Sequence, residues 1–323
     1  MDKTIEIPKL TILTKEQVYG DNKLNIFKVI DPKAAVSDTA ILRGAYVSNY
    51  HVDNDSSLGG RTGYYWLQNS DRDGDVLSIG PDGDSDCLVR IRRSSGVRAA
   101  LPYSSIQNLP HTIKTRPNGL EEITYGYYPG SATNKFIQRS LEDSYNAGDL
   151  TSIGTGCIFD GRKYDDYGED FLPEKQEYFE YNGEIYARIR ANSGFDDTYF
   201  TLSNEEKYKN GNYVWIKVEP IVWLKHPLDD IMISEKEIIA GVRFDKTIGG
   251  YNDDFNTTKL KWFLDNHLSK DILSLDKLKK DINKNNYSDD EIKTINNFIY
   301  LNENGKTLKK KKIIVKAKRK SNN

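Results

Sequence analysis

Along this chain the spacing of apolar residues switches from helical to strand-like and back again. Residues Thr14 to Ile30 mix Val18, Leu24, Ile26, Phe27 and Ile30 with charged positions, and Thr14 stands three residues before Gln17. That is capping-box spacing, so a helix is predicted to open near Thr14, and Pro32 ends any continuation. A second short helix is predicted within Ser37 to Tyr46. From Gly59 the period shortens to two. Tyr64-Tyr65-Trp66-Leu67, Val76 to Ile79, Cys87 to Ile91 and Gly96 to Leu101 are short apolar runs separated by Asp73-Gly74 and Asp82-Gly83. Asp-Gly pairs between alternating runs mark hairpins, so residues 60–101 read as a meander of antiparallel strands.

Asn108 to Gly119, with Pro110 and Pro117, reads as a linker. Beyond it Ile123 to Pro129 opens a new unit. Phe136 to Ala147 is predicted as a helix with Phe136, Ile137, Leu141 and Tyr145 on one side and Gly148 as its stop. Tyr178 to Tyr181 and Ile185 to Ile189 flank Asn182-Gly183, the preferred two-residue hairpin connection. Tyr213 to Val218 and Ile221 to Leu224 are strands separated at Pro220, which marks an edge or a bulge. Short strands at Ile231 to Ile233 and Ile238 to Val242 precede helices at Thr257 to Leu268, Leu275 to Ile282 and Ser288 to Tyr300.

The chain is therefore expected to be α+β. Its divisions fall at residues 1–107, a linker at 108–119, a second half at 120–273, a helical segment at 274–304 and a basic tail at 305–323. With 323 residues, 37% hydrophobic content and 21 tyrosines there is enough apolar surface for real cores. Net charge is −2, so the whole chain carries no nucleic-acid signature. Two cysteines, Cys87 and Cys157, do not make a disulfide framework, and free thiols are the expectation. Met1 to Leu13 alternates charged and apolar residues and holds no signal-peptide core, and no apolar run is long enough for a membrane span. A cytoplasmic or virion-associated location is expected, with no membrane partner.

Several segments carry a resemblance. Gly63-Tyr64-Tyr65-Trp66-Leu67-Gln68-Asn69-Ser70, the Asp-Gly-Asp turns and Gly96-Val97-Arg98-Ala99-Ala100-Leu101-Pro102 resemble a bacterial and phage domain family of unknown function. That family is related in fold to the formylglycine-generating-enzyme and sulfatase-modifying group, whose core is C-type-lectin-like. Gln68 and Ala99 stand where the family usually has Arg and Pro. Tyr125-Gly126-Tyr127-Tyr128-Pro129, Pro220-Ile221-Val222-Trp223 and Lys261-Trp262-Phe263-Leu264 resemble the family's other end, so the two ends occur in reversed order. The resemblance covers residues 14–102 and 121–273. It implies C-type-lectin-like antiparallel sheets with flanking helices, either as one permuted fold or as two packed half-units.

No catalytic residue is assigned. The four histidines, His51, His111, His226 and His267, are scattered, and there is no Gly-x-Ser-x-Gly, phosphate-loop or His-Glu-x-x-His motif. Lectin-like scaffolds recognise partners through loops on a rigid sheet. The candidate ligand-binding residues are accordingly Tyr64, Tyr65, Asn69, Asp71, Arg72, Arg90, Arg92 and Arg93, which offer stacking area and guanidinium groups for a protein or glycan. Asp71, Asp73 and Asp75 are a candidate calcium set, although the EF-hand spacing is not met. In the tail, Lys309, Lys310, Lys311, Lys312, Lys316, Lys318, Arg319 and Lys320 are dense enough to bind nucleic acid or an acidic protein. The expected function is non-enzymatic recognition, as a phage virion or host-interaction component. The alternatives are an intracellular inhibitor or nucleic-acid-associated factor acting through the tail, and, last, a metal-dependent enzyme on the same scaffold.

Overall fold

A computed structural model describes residues 7–45, 62–70, 75–84, 87–90, 94–158, 174–192, 199–245 and 254–282. The predicted α+β character holds: two main sheets dominate, and a helix closes the described part of the chain.

The first helix is shorter than predicted. Thr14 and Gln17 form the reciprocal capping box, but α1 is only Lys15–Tyr19, because Gly20 leaves the helix in extended conformation. The apolar residues that follow enter a separate 3-10 turn, Asn25–Lys28. Asp229 holds that turn, its carboxylate accepting the backbone N–H groups of Asn25 (3.1 Å) and Ile26 (3.0 Å) and the Asn25 amide (2.8 Å). Ser37 caps the second helix, α2, Asp38–Leu42.

The smaller sheet has the order β17-β5-β2-β3-β4. Its strands are β2 (Tyr65–Ser70), β3 (Asp75–Ile79), β4 (Cys87–Arg90), β5 (Ser94–Val97) and β17 (Ile239–Arg243). The meander prediction holds for β2, β3 and β4, which pair antiparallel. It fails at the end: β5 lies parallel to β2, and residues 96–102 do not form one strand. Val97 ends β5, the chain leaves this sheet at Arg98 and Ala99, and Ala100–Pro102 forms β6 in the other sheet.

The larger sheet is eight-stranded. It comprises β6, β7 (Thr112–Thr115), β8 (Glu121–Ala132), β9 (Ser152–Ile158), β10 (Glu174–Tyr181), β11 (Glu184–Arg190), β14 (Tyr213–Lys225) and β15 (Ile231–Ser234). Residues 108–119, expected to link two units, instead supply β7, which turns at Arg116–Gly119 and pairs with β8. Asn182 (φ 53°) and Gly183 (φ 81°) make the expected tight turn between β10 and β11. Two short pairs complete the strands: β12 (Tyr199–Thr201) pairs with β13 (Lys207–Lys209), and the two-residue β1 (Ala35–Val36) lies parallel to β16 (Lys236–Glu237).

Of the longer helices, α3 (Lys135–Asn146) ends at Gly148 (φ 77°), as predicted. Its inward face differs from the expected one. Leu141 is buried, whereas Phe136 is 84% exposed, since it sits about 100° around the helix from Ile137. The predicted helices at 257–268 and 275–282 are one continuous rod. It starts with α4 (Lys259–Phe263), passes through a π turn at Leu264–Leu268 and continues as α5 (Ser269–Ile282). The expected helix at Ser288 to Tyr300 lies outside the described residues.

One buried apolar cluster draws on both sides of residue 108, from Leu10 through Trp66 and Leu101 to Trp223 and Leu278. Indole N–H groups do not tolerate burial without an acceptor. Each of the three innermost tryptophans has one: Trp66 donates to the Val242 carbonyl, Trp223 to the Tyr125 carbonyl and Trp215 to Glu142, all at 2.9 Å. Among the described residues no helix is long and apolar enough to cross a membrane.

Candidate functional site

Of the residues expected to form a binding face, Tyr64, Tyr65 and Asn69 are the ones whose side chains are described. Tyr65 is fully buried, with its hydroxyl donating to the Pro32 carbonyl at 2.6 Å, and burial pushes its pKa up. It presents no stacking face. Asn69 is spent locally, its side-chain oxygen accepting the Lys15 N–H at 2.5 Å where α1 begins. Tyr64 is half-buried, and its carbonyl accepts from the Ser95 hydroxyl and the Gly96 N–H, both at 2.8 Å. Arg90 lies in β4 opposite Asp75 of β3. Asp71, Arg72, Asp73, Arg92, Arg93 and the basic tail residues all lie outside the described residues. Among the described residues no three His, Cys, Asp or Glu side chains stand together as a metal set. Cys87 and Cys157 occupy strands of different sheets, β4 and β9.

What the chain does build is a cleft of about 400 Å³ on the larger sheet, where β8 and β14 bulge apart. The cause is local. Pro220 has no N–H for the ladder, and the β14 register shifts between Pro220 and Val222. Ile221 therefore faces two residues of β8, Tyr125 and Gly126, and Gly126 takes φ 72°. A second shift, between Lys217 and Val218, leaves Gly130 as the extra residue on β8. A glycine is needed there, because a Cβ on Gly130 would stand 2.3 Å from Oε1 of Glu219. The Val222 carbonyl, released near the bulge, accepts the N–H of Glu235 at 2.9 Å.

The floor of the cleft is apolar, from Pro129, Pro220, Ile221 and Val222. Its walls carry polar side chains, among them Ser131, Glu219, Glu235, Lys236 and Glu237. The Ser131 hydroxyl donates to Oε1 of Glu219 at 2.6 Å, which fixes that carboxylate and leaves Oε2 without a protein partner among the described residues. Glu235 is neutralised by Arg116, 2.6 Å away, which also holds Glu122 at 3.0 Å. Lys236 is exposed on the β15–β16 wall. The next residue, Glu237, also belongs to the wall, but it is wholly buried and neither carboxyl oxygen has a hydrogen-bond partner among the described residues. Burial holds its carboxyl well above the usual carboxylate range, with Arg98 opposing that shift.

A second surface feature lies at the other end of β14. Arg188 makes a two-pronged pair with Glu142 (3.0 and 2.7 Å) and sits over the rings of Tyr213 (3.8 Å) and Tyr145 (4.5 Å). An arginine thus stands against two tyrosine rings here, in residues other than the candidates Tyr64 and Arg90. Its guanidinium is already engaged by Glu142. Arg188 therefore stiffens the rings and does not reach out to a ligand.

Sequence reasoning missed the cleft. Pro220 with the Gly126 and Gly130 pair four residues apart on the facing strand was the available signal, because proline and glycines at matched positions of paired strands mark bulges. No protein-family model, curated protein or solved structure matches the chain.

Proposed function

We propose that this chain is a non-enzymatic recognition protein on a C-type-lectin-like scaffold, and that the β8–β14 cleft receives a side-chain-sized or sugar-sized group of a partner. One observation carries the reading. Glu219 is oriented by Ser131 at the edge of an apolar floor, with its second oxygen unspent among the described residues. A preformed apolar hollow with a few fixed polar groups is the usual form of a small-group binding site, and a volume of about 400 Å³ suits one sugar ring or one long side chain. A carboxylate oxygen accepts only, so the group bound there is a donor: a hydroxyl pair or an ammonium.

Ligand-observed NMR with methyl glycosides in one arm and N-acetyl-lysine in the other tests this. Saturable binding is expected in one arm. Glu219→Ala should weaken it at least roughly tenfold, because a charge-assisted hydrogen bond is removed. No binding in either arm, or equal binding by the variant, refutes the proposal.

A further inference from the structure

Two chain crossings lie side by side between the sheets. One carries β5 into β6 through Arg98 and Ala99, and the other carries β15 into β17 through β16. They are stitched together by Ser234 N–H to the Ala99 carbonyl (2.8 Å), Ile238 N–H to the Val97 carbonyl (3.0 Å) and Arg98 Nε to the Ser234 carbonyl (3.0 Å). Glu237 sits in this seam. Its Oε2 is 1.9 Å, and the Tyr64 carbonyl oxygen 2.8 Å, from the point where a Cβ on Gly96 would stand. The absence of a side chain at Gly96 is what admits the carboxyl to that place.

Without a donor, an ionised carboxylate is far costlier there than a neutral carboxyl. The charged and titratable groups facing it are Arg98, beyond the end of β5, and Tyr65 of β2. Arg98 uses Nε for Ser234 and Nη1 for the carbonyls of Pro32 (2.7 Å) and Lys33 (3.2 Å) and the Tyr65 hydroxyl, leaving Nη2 without a protein partner among the described residues. A destination for the carboxylate is therefore at hand. Reaching it requires β16 to shift; β16 is held to β1 over two residue pairs, and Ser37 donates to the Glu237 carbonyl (3.2 Å) and the Ile238 carbonyl (3.1 Å).

We propose that Glu237 is a proton-operated latch on the cleft wall. Protonated, it packs against Gly96 and keeps Ser234–Ile238 in place; on losing its proton to solvent it leaves Gly96 for the Arg98 guanidinium and carries the wall with it. The regulatory meaning rests on the cleft being the binding site, but the latch itself does not, and its test needs no ligand.

Hydrogen–deuterium exchange is measured on the intact protein across about pH 5 to 9, with rates corrected for the intrinsic pH dependence of exchange. The segment 234–239 is expected to pass from high to low protection with one midpoint in the wild type, and to stay protected throughout in Glu237→Gln. Matching profiles in the two proteins overturn the proposal. Should the variant not fold, the wild type still decides, since protection of this segment that does not change across the range excludes a latch.

Discussion

Replacing Gly126 by alanine should unseat the C-terminal helix from the larger sheet by a calculable amount. Two penalties are separable. Gly126 holds φ 72°, where an L-residue costs about 1–2 kcal/mol. The added Cβ would also stand 2.2 Å from Cγ2 of Ile272, a 2%-exposed residue of α5. Restoring an ordinary contact needs a displacement of more than about 1 Å in a close-packed core, and overpacking of that kind costs about 1–3 kcal/mol. Gly126→Ala should thus lose about 2–5 kcal/mol, a large share of the ~5–15 kcal/mol that holds a domain folded. Ile272→Leu removes the β-branched methyl while keeping volume, and alone should cost less than about 1.5 kcal/mol. In the double variant the steric part should vanish, leaving only the backbone part, so the coupling is about 1–3 kcal/mol in the favourable direction. Urea denaturation followed by tryptophan fluorescence on the four proteins gives the cycle. A strictly additive cycle, or a Gly126→Ala loss below about 0.5 kcal/mol, would refute the packing argument.

Two further outcomes follow from polar contacts. Asp229→Ala leaves the buried Ile26 N–H and the Asn25 N–H without their acceptor, and should cost about 1–3 kcal/mol by the same denaturation assay; a neutral result would mean water replaces the carboxylate. At Glu142, the hydrogen bond from Arg188 holds the carboxyl below the usual carboxylate range. Its contribution is present above the unfolded-state value and disappears as pH falls through the lowered native one, so the wild type's margin over Glu142→Gln should shrink with acidification below about pH 4.5. The pair is partly exposed, so this margin should be small and should fall further in high salt; a margin that grows on acidification would show that Glu142 is not ionised in the fold.

The parts of the fold that the chain spells locally were the legible ones. The Thr14–Gln17 capping box, the Asn182-Gly183 turn and the Gly148 helix stop are each decided by residues a few positions apart, and all three are present. The errors lie where partners distant in sequence decide. Residues 112–115 read as linker because prolines flank them, yet the ladder offered by β8 turns them into a strand. Residues 96–102 have an unbroken strand pattern, but the carbonyls of Pro32, Lys33 and Ser234 capture Arg98 and pull the chain from one sheet to the other at that point.

The same distinction explains why Tyr65, expected at a binding face, lies inside and why the cleft was not foreseen. Tyrosine suits both a wet surface and a half-dry core, and composition does not separate the two. Tyr65 goes inward because the Pro32 carbonyl is there to receive its hydroxyl. The cleft, conversely, depends on a mismatch between strands some ninety residues apart: with a proline on β14 and two glycines on β8, each bulge leaves one extra residue on β8. Neither strand alone shows this. Once the two are paired, however, their bulges leave space beside the sheet, Gly130 admits the Glu219 side chain, and Ser131 orients it. The polar chemistry of the cleft is thus a consequence of strand register, and any substitution that restores an even register between β8 and β14 should remove the hollow together with the position of its carboxylate.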